Sequence, residues 1–335
     1  MMRRRELLLA AGAGLCANPL ATARGSTRHG ARMNELDGAR MNELDGARMN
    51  ELDGAQVTRF QVACMTLPYA AFPMERALTG IQRAGYRYVA WGVNHRDASG
   101  TVRRMLEEKA PASEAAKLAA HCRGLGLEPV MMFSTVHLEA AGALDLHLRR
   151  IDQAAAAGIP FLLTFGKTEP GQYERVIGNL KGMAGRARAA GVTVVIKQHG
   201  GNTATGAACA RIVAEVGEES VRICYDAGNV LDYDNSDPVA DIRTCWREVR
   251  AFAIKDHRNT PKDEDCGPGF GEIDHYKLLT PVMRTGLTMP LACENIFEPL
   301  VSRPTAAEEV DALAKRAREY LETVLRGLIQ HEREQ

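Results

Sequence analysis

The chain has 335 residues, 45% of them hydrophobic and 25% charged, and its 42 Lys and Arg balance 42 Asp and Glu to a formal net charge of zero. That length and apolar content suffice for one large core. With no basic block and no interleaving of aromatic and basic residues, the chain carries no electrostatic footprint for nucleic acid or an anionic membrane, and a small neutral or weakly anionic ligand is expected.

The chain starts MMRRRELLLAAGAGLCANPLATARG, with Arg4 and Arg5 ahead of Glu6 and Leu7, then a short apolar stretch and the small residues Ala21, Thr22 and Ala23. This is the pattern of a twin-arginine export signal over residues 1–23, cleaved near Ala23, and it predicts a periplasmic or exported protein. The apolar stretch, roughly 12 residues against the ~20 that span a bilayer, predicts no membrane anchor once the signal is removed. Lipidation at Cys16 is disfavoured by the bulky Leu15 before it. Next comes ARMNELDG, repeated without change at residues 31–38, 39–46 and 47–54. Its period fits neither a heptad nor a solenoid unit, and each copy offers only Met and Leu as apolar anchors. Residues 24–56 are therefore expected to form a disordered or weakly helical linker, and residues 57–335 the folded domain.

From Phe60 onward short apolar runs alternate with longer amphipathic ones, the pattern of βα units. The predicted strands are 60–64, 88–92, 128–133, 161–166, 193–197, 221–226, 251–256 and 290–295. Helical segments begin near Met74, Ala112, Ala143, Gln172, Ala204, Pro238, Asp274 and Thr305. Gly85, Gly126, Gly158 and Gly191 each stand just before a strand, where glycine supplies the left-handed helix cap. Eight such units predict an α/β fold, a (β/α)₈ TIM barrel. Cys64, Cys224 and Cys293 fall inside strands and read as small buried hydrophobes. The absence of any CxxC pair argues against a disulfide framework.

Four of these strands end on ionisable residues: VVIKQHGG carries Lys197 and His199, RICYDAGN carries Asp226, AFAIKD carries Lys255 and Asp256, and LACEN carries Glu294. In a parallel barrel the C-terminal strand ends converge on one mouth, which is where active sites form.

These phrases, with the AGxxxV helix-to-strand junctions and GPGFGEIDH, make residues 60–325 resemble the sugar phosphate isomerase/epimerase family, the xylose isomerase-like TIM barrel. The resemblance implies isomerisation or epimerisation of a sugar, with lyases and dehydratases among the relatives. It also implies a divalent ion, Mn, Mg or Zn, held by Glu, Asp, His and Glu on strands five to eight. Asp226 and Glu294 match two of those ligands. Lys197 stands in place of the first Glu, Ala253 in place of the His, and Asn229 in place of a further His.

Three readings of the mouth follow. A metal is retained through Asp226, Glu294 and His199, with Asp256 or His257 as a further ligand and Lys197 acting on a substrate oxygen. Alternatively, Lys197 stabilises an enediolate without metal while Glu294 or His199 moves the proton; a Schiff-base lysine is a variant of this reading. In the third, Lys197 simply pairs with Asp226 or Glu294 in a non-catalytic carbohydrate-binding barrel. Glu294 is the preferred base, and His199 is expected to exchange protons near neutrality. Asn229, Lys255, Trp91, His95 and Gly200 are candidates for contacting a small sugar or sugar derivative, with a core role the competing reading for Trp91. His121, His137, His147, His275 and His331 are read as surface or packing histidines. GPGFGEID does not link a strand directly to its helix, so no nucleotide cofactor is expected. A homo-oligomer is compatible with the sequence.

Overall fold

The computed structural model describes residues 57–134, 136–166 and 171–334. The expected export signal, Cys16 and the ARMNELDG repeats lie outside the described residues. Eight strands form the barrel: β1 (Arg59–Met65), β2 (Tyr88–Trp91), β3 (Glu128–Phe133), β4 (Phe161–Phe165), β5 (Thr193–Lys197), β6 (Val221–Tyr225), β7 (Val249–Ile254) and β8 (Thr288–Cys293). They close in the order β1-β8-β7-β6-β5-β4-β3-β2, every neighbouring pair parallel. The expected TIM barrel is thus the fold.

The outer layer includes α1 (Met74–Arg83), α2 (Ala112–Gly124), α3 (Ala143–Ala157), α4 (Tyr173–Ala189) and α5 (Gly206–Val216), which follow β1 to β5. After β6 come two short helices, α6 (Ala227–Asp234) and α7 (Pro238–Ile242); α8 (His275–Leu279) follows β7 and α9 (Ala307–Glu334) follows β8. Gly85, Gly126, Gly158 and Gly191 all have positive φ, as the capping pattern predicts. The seven cysteines among the described residues are buried and unpaired. Among those residues no helix is long and apolar enough to cross a membrane.

Alternation along the strands decides which side chains reach the mouth. In β5, Val194 and Ile196 join the cluster between strands and helices, whereas Val195 joins the barrel interior. Lys197, two residues on, has the parity of the interior. The same count holds for Cys224 then Asp226, Ala253 then Lys255, and Ala292 then Glu294, the first of each pair being interior. Four charged residues on four adjacent strands are thereby directed to one place.

Two antiparallel hairpins decorate the mouth. Asn94–Arg96 pairs with Val102–Arg104 after β2, and Asp256–Arg258 pairs with Glu264–Cys266 after β7. Neither hairpin was predicted, and neither was α6, which begins immediately at the end of β6 because Asp226 is its N-cap: the carboxylate accepts from the Asn229 N–H at 2.9 Å.

Candidate active site

Lys197 Nζ donates to both carboxylate oxygens of Glu294 at 2.7 Å and lies 3.0 Å from Asp226 Oδ2. It also stands 5.8 Å from the centre of the Phe133 ring. Lys255 Nζ donates to Asp265 Oδ2 at 2.8 Å and to Asn229 Oδ1 at 2.5 Å, with Asp226 Oδ2 4.0 Å away. The side chain of Asp226 is fully buried and that of Lys197 is 3% exposed, whereas Glu294 is 13% exposed. Of the two carboxylates that contact Lys197, Glu294 is therefore the one that a ligand can reach.

The protonation states follow from the pairing. Burial of the Lys197 ammonium favours its neutral form, but Glu294 and Asp226 outweigh that and hold its pKa above the ordinary lysine value. Lys255 is raised likewise, burial being overcome by Asp226 and Asp265. Burial would raise Glu294, but Lys197 and Lys255 pull it below the usual carboxylate range. Asp226 is raised by burial, only partly offset by the two lysines. Both lysines are thus ammonium groups at neutral pH, which disfavours the Schiff-base variant.

A set of backbone and amide contacts fixes Asp226. Its N–H donates to Gln198 Oε1 at 2.8 Å, and Asn229 Nδ2 donates to the Gln198 carbonyl at 2.5 Å. Asn229, expected to touch substrate, instead commits its amide to Gln198 and Lys255, so it positions the lysine. Gln198, a fully buried residue that sequence reasoning passed over, ties the end of β5 to α6.

One wall of the mouth is aromatic. Phe133 stacks on Phe165 with centroids 5.5 Å apart, Phe165 lies 4.5 Å from the His199 ring, and His137 and Tyr233 flank His199 at 5.6 and 5.4 Å. Burial in this wall, with Lys197 adding to it, pushes the His199 pKa down to about 3. His199 is therefore a neutral imidazole at pH 7, contrary to the expectation of a group exchanging protons near neutrality. Its Nδ1 is buried and has no hydrogen-bond partner. His137, read as peripheral, belongs to this wall.

The model of the xylose isomerase-like TIM barrel family matches residues 79–322, well over half of the chain. The chain belongs to that family. No curated protein matches it in sequence. Among solved structures it resembles an L-ribulose 3-epimerase, with a TM-score of 0.62, 16% identity, and 81% of this chain covering 96% of that one. It also resembles a xylose isomerase-like TIM barrel protein from Mycobacterium smegmatis in complex with magnesium (TM-score 0.62, 14% identity, 83% and 99% coverage). A third likeness is a probable 3-DHS dehydratase from Bacillus anthracis (TM-score 0.56, 10% identity, 78% and 98%). At such identities the likeness is one of fold.

Membership in the xylose isomerase-like family raises the question of a divalent ion, and the strand-end donor set does not fit one. The gap between Asp226 and Glu294 is taken by the Lys197 ammonium, and a positive charge there repels a second cation. The other Asp226 oxygen caps α6. Asp256, expected among the ligands, has the opposite strand parity to Lys255. Its carboxylate accepts three backbone N–H groups, from His257 at 2.9 Å, Gly269 at 3.0 Å and Ile273 at 3.1 Å, and so pins the GPGFGEID loop. His199 sits in the aromatic wall. A different group could hold a metal: Asp232, His257 and Asp263 each offer one ligand atom, all within 4.8 Å of one another.

The remaining candidates have structural partners. Trp91 follows the interior residue Ala90, so it faces the helices and is 1% exposed in the outer core, apart from the mouth. His95 is locked by both ring nitrogens, to the Phe72 carbonyl at 3.2 Å and Thr66 Oγ1 at 3.1 Å. Gly200 has a φ of 80°, and a Cβ there would come within 3.3 Å of the Tyr233 ring, so it shapes the turn under the aromatic wall. His147 and His275 are buried packing residues and His121 pairs with Glu75 at the surface, in keeping with their reading.

Proposed function

We propose that the chain is an isomerase or epimerase of a sugar or sugar-like hydroxycarbonyl compound, working by proton abstraction next to the carbonyl. The observation that carries this reading is the contact of a reachable carboxylate, Glu294, with the Lys197 ammonium at the barrel mouth. A substrate carbonyl oxygen takes over one Lys197 N–H from Glu294 and frees a carboxylate oxygen to act as base. Glu294 accepts the proton from the carbon beside the carbonyl, the C–H electrons form the carbon–carbon double bond, and the carbonyl electron pair moves onto the oxygen that Lys197 faces. The hydroxyl proton passes within the enediolate from the neighbouring oxygen to the oxyanion, and return of the abstracted proton from Glu294 to the former carbonyl carbon leaves the new carbonyl on the neighbouring carbon, which is the isomer. Asp226 is fully buried, so one carboxylate serves both carbons, which favours isomerisation over inversion by two opposed bases.

The likeness to an L-ribulose 3-epimerase supports a sugar ligand, and the likeness to a probable dehydratase supports elimination as a second reading. A leaving group β to the abstracted proton would convert the same proton transfer into that reaction. The Arg4-Arg5 leader supports export by the twin-arginine route, and the buried, unpaired thiols are compatible with folding before export. Incubation with a panel of aldoses and ketoses in D₂O tests the central step. Deuterium appearing at the carbon beside the carbonyl, and lost in Glu294→Gln, supports it. Sugar binding without exchange would make the chain a binding barrel instead.

A further inference from the structure

We propose that Lys197 is a built-in substitute for a divalent cation: its ammonium holds the place between Asp226 and Glu294, and the mouth takes up no metal there. Three carboxylate oxygens surround Nζ, the two of Glu294 as hydrogen-bond acceptors at 2.7 Å and Asp226 Oδ2 as an ion-pair contact at 3.0 Å, so the ammonium is the charge that Asp226 Oδ2 faces. A divalent ion binding the same oxygens at about 2.0–2.2 Å would need the space on the side where Nζ stands. The neighbouring strand supplies no replacement donor, since the interior residues of β7 are Ala251 and Ala253. Charge is already balanced by a second lysine, with Lys255 Nζ 4.0 Å from Asp226.

The fold also makes room for that second lysine. A Cβ on Gly228 would come within 2.7 Å of both Cγ and Cε of Lys255, so glycine in the DAGN phrase gives the lysine stem its path. Asn229 and Asp265 then hold its head group. Two ammonium groups, each with its own supporting contacts, form the cationic side of the mouth. This deepens the reading of the same site, but it concerns the cation alone and stands or falls without reference to the sugar.

Calorimetric titration with Mn²⁺ separates it from that reading. The titrations are run in an Asp263→Ala background, to silence the separate Asp232, His257 and Asp263 cluster. The background protein is expected to show no Mn²⁺ site that Asp226→Ala removes. Lys197→Glu should gain one site, at least ten-fold tighter than any in the background protein and abolished by adding Asp226→Ala. Lys197→Gln, which removes the charge and adds only a neutral amide oxygen in place of a carboxylate, is the second variant should Lys197→Glu fail to fold, and it should gain a weaker site. One equivalent of Mn²⁺ bound by the background protein and lost with Asp226→Ala would overturn the proposal. So would a folded Lys197→Glu that gains no site, or, where that variant does not fold, a folded Lys197→Gln that gains none.

Discussion

Lys197 and Glu294 meet through both carboxylate oxygens at 2.7 Å although 97 residues of chain separate them. Both are drawn from water, so the pair is held by mutual compensation, and each member is costly to lose alone. Removing one partner of a buried ion pair typically costs about 3–5 kcal/mol, because the other charge is left unpaired. Lys197→Met is expected to lose stability of that order in urea denaturation. Adding Asp226→Asn and Glu294→Gln to it should recover most of the loss. A lone Lys197→Met as stable as the wild type would show that the carboxylates do not depend on the ammonium.

His199 provides a pH test. Its folded pKa of about 3 lies below the ~6.5 of an unfolded histidine. Between those values the unfolded chain binds a proton that the folded chain does not, so this contribution to stability is fully present above pH 6.5 and is lost as pH falls. The His199 imidazole resonances should stay constant from pH 8 to pH 5 in an NMR titration, and His199→Gln should flatten the acid side of the stability curve. A midpoint near pH 6.5 would contradict the burial argument.

Asp256 is expected to matter for architecture. Asp256→Ala strands three backbone N–H groups, at His257, Gly269 and Ile273, for a loss of about 3 kcal/mol. Hydrogen exchange should accelerate at those amides while the metal content of the protein is unchanged. Gly271→Ala should loosen the same loop, because its Cβ would stand 2.3 Å from Asp256 Oδ1.

The barrel was legible because each predicted apolar run coincides with a strand, and each glycine before a strand is a left-handed cap. What could not be read was side-chain direction. A strand buried on both faces shows no alternation in hydrophobicity, so nothing in AFAIKD told that Lys255 turns inward while Asp256 turns away, or in YVAWG that Trp91 faces the helices. Helix α6 was hidden for a different reason: Asp226 ends one element and caps the next, and DAGN reads as a turn. The aromatic wall joins Phe133 and Phe165 from two strands, His137 from a loop and Tyr233 from α6, and only the closed barrel brings them to His199. The substitution of Lys197 for a family ligand was visible from the resemblance, but its position between two carboxylates needed the fold.

A further prediction concerns Asn229, whose amide joins Gln198 to Lys255. Asn229→Ala removes one hydrogen bond to a charged group and one to a backbone carbonyl, an expected cost of about 2 kcal/mol by urea denaturation. Because Asn229 is argued to position Lys255 without touching the reacting atoms, any loss of proton exchange should be much smaller than that of Glu294→Gln. Equal losses in the two variants would place Asn229 in the reaction itself.

The most direct measurement of the central claim follows solvent deuterium into sugar by NMR, comparing wild type with Glu294→Gln and Lys197→Met under excess chelator. Wild type should exchange the hydrogen beside the carbonyl at a rate the chelator does not change, and folded forms of both variants should fall at least a hundred-fold, roughly the scale of one acid–base or oxyanion contact. Exchange that persists in Glu294→Gln would contradict the assignment of the base, and exchange that stops with chelator alone would contradict the role given to Lys197.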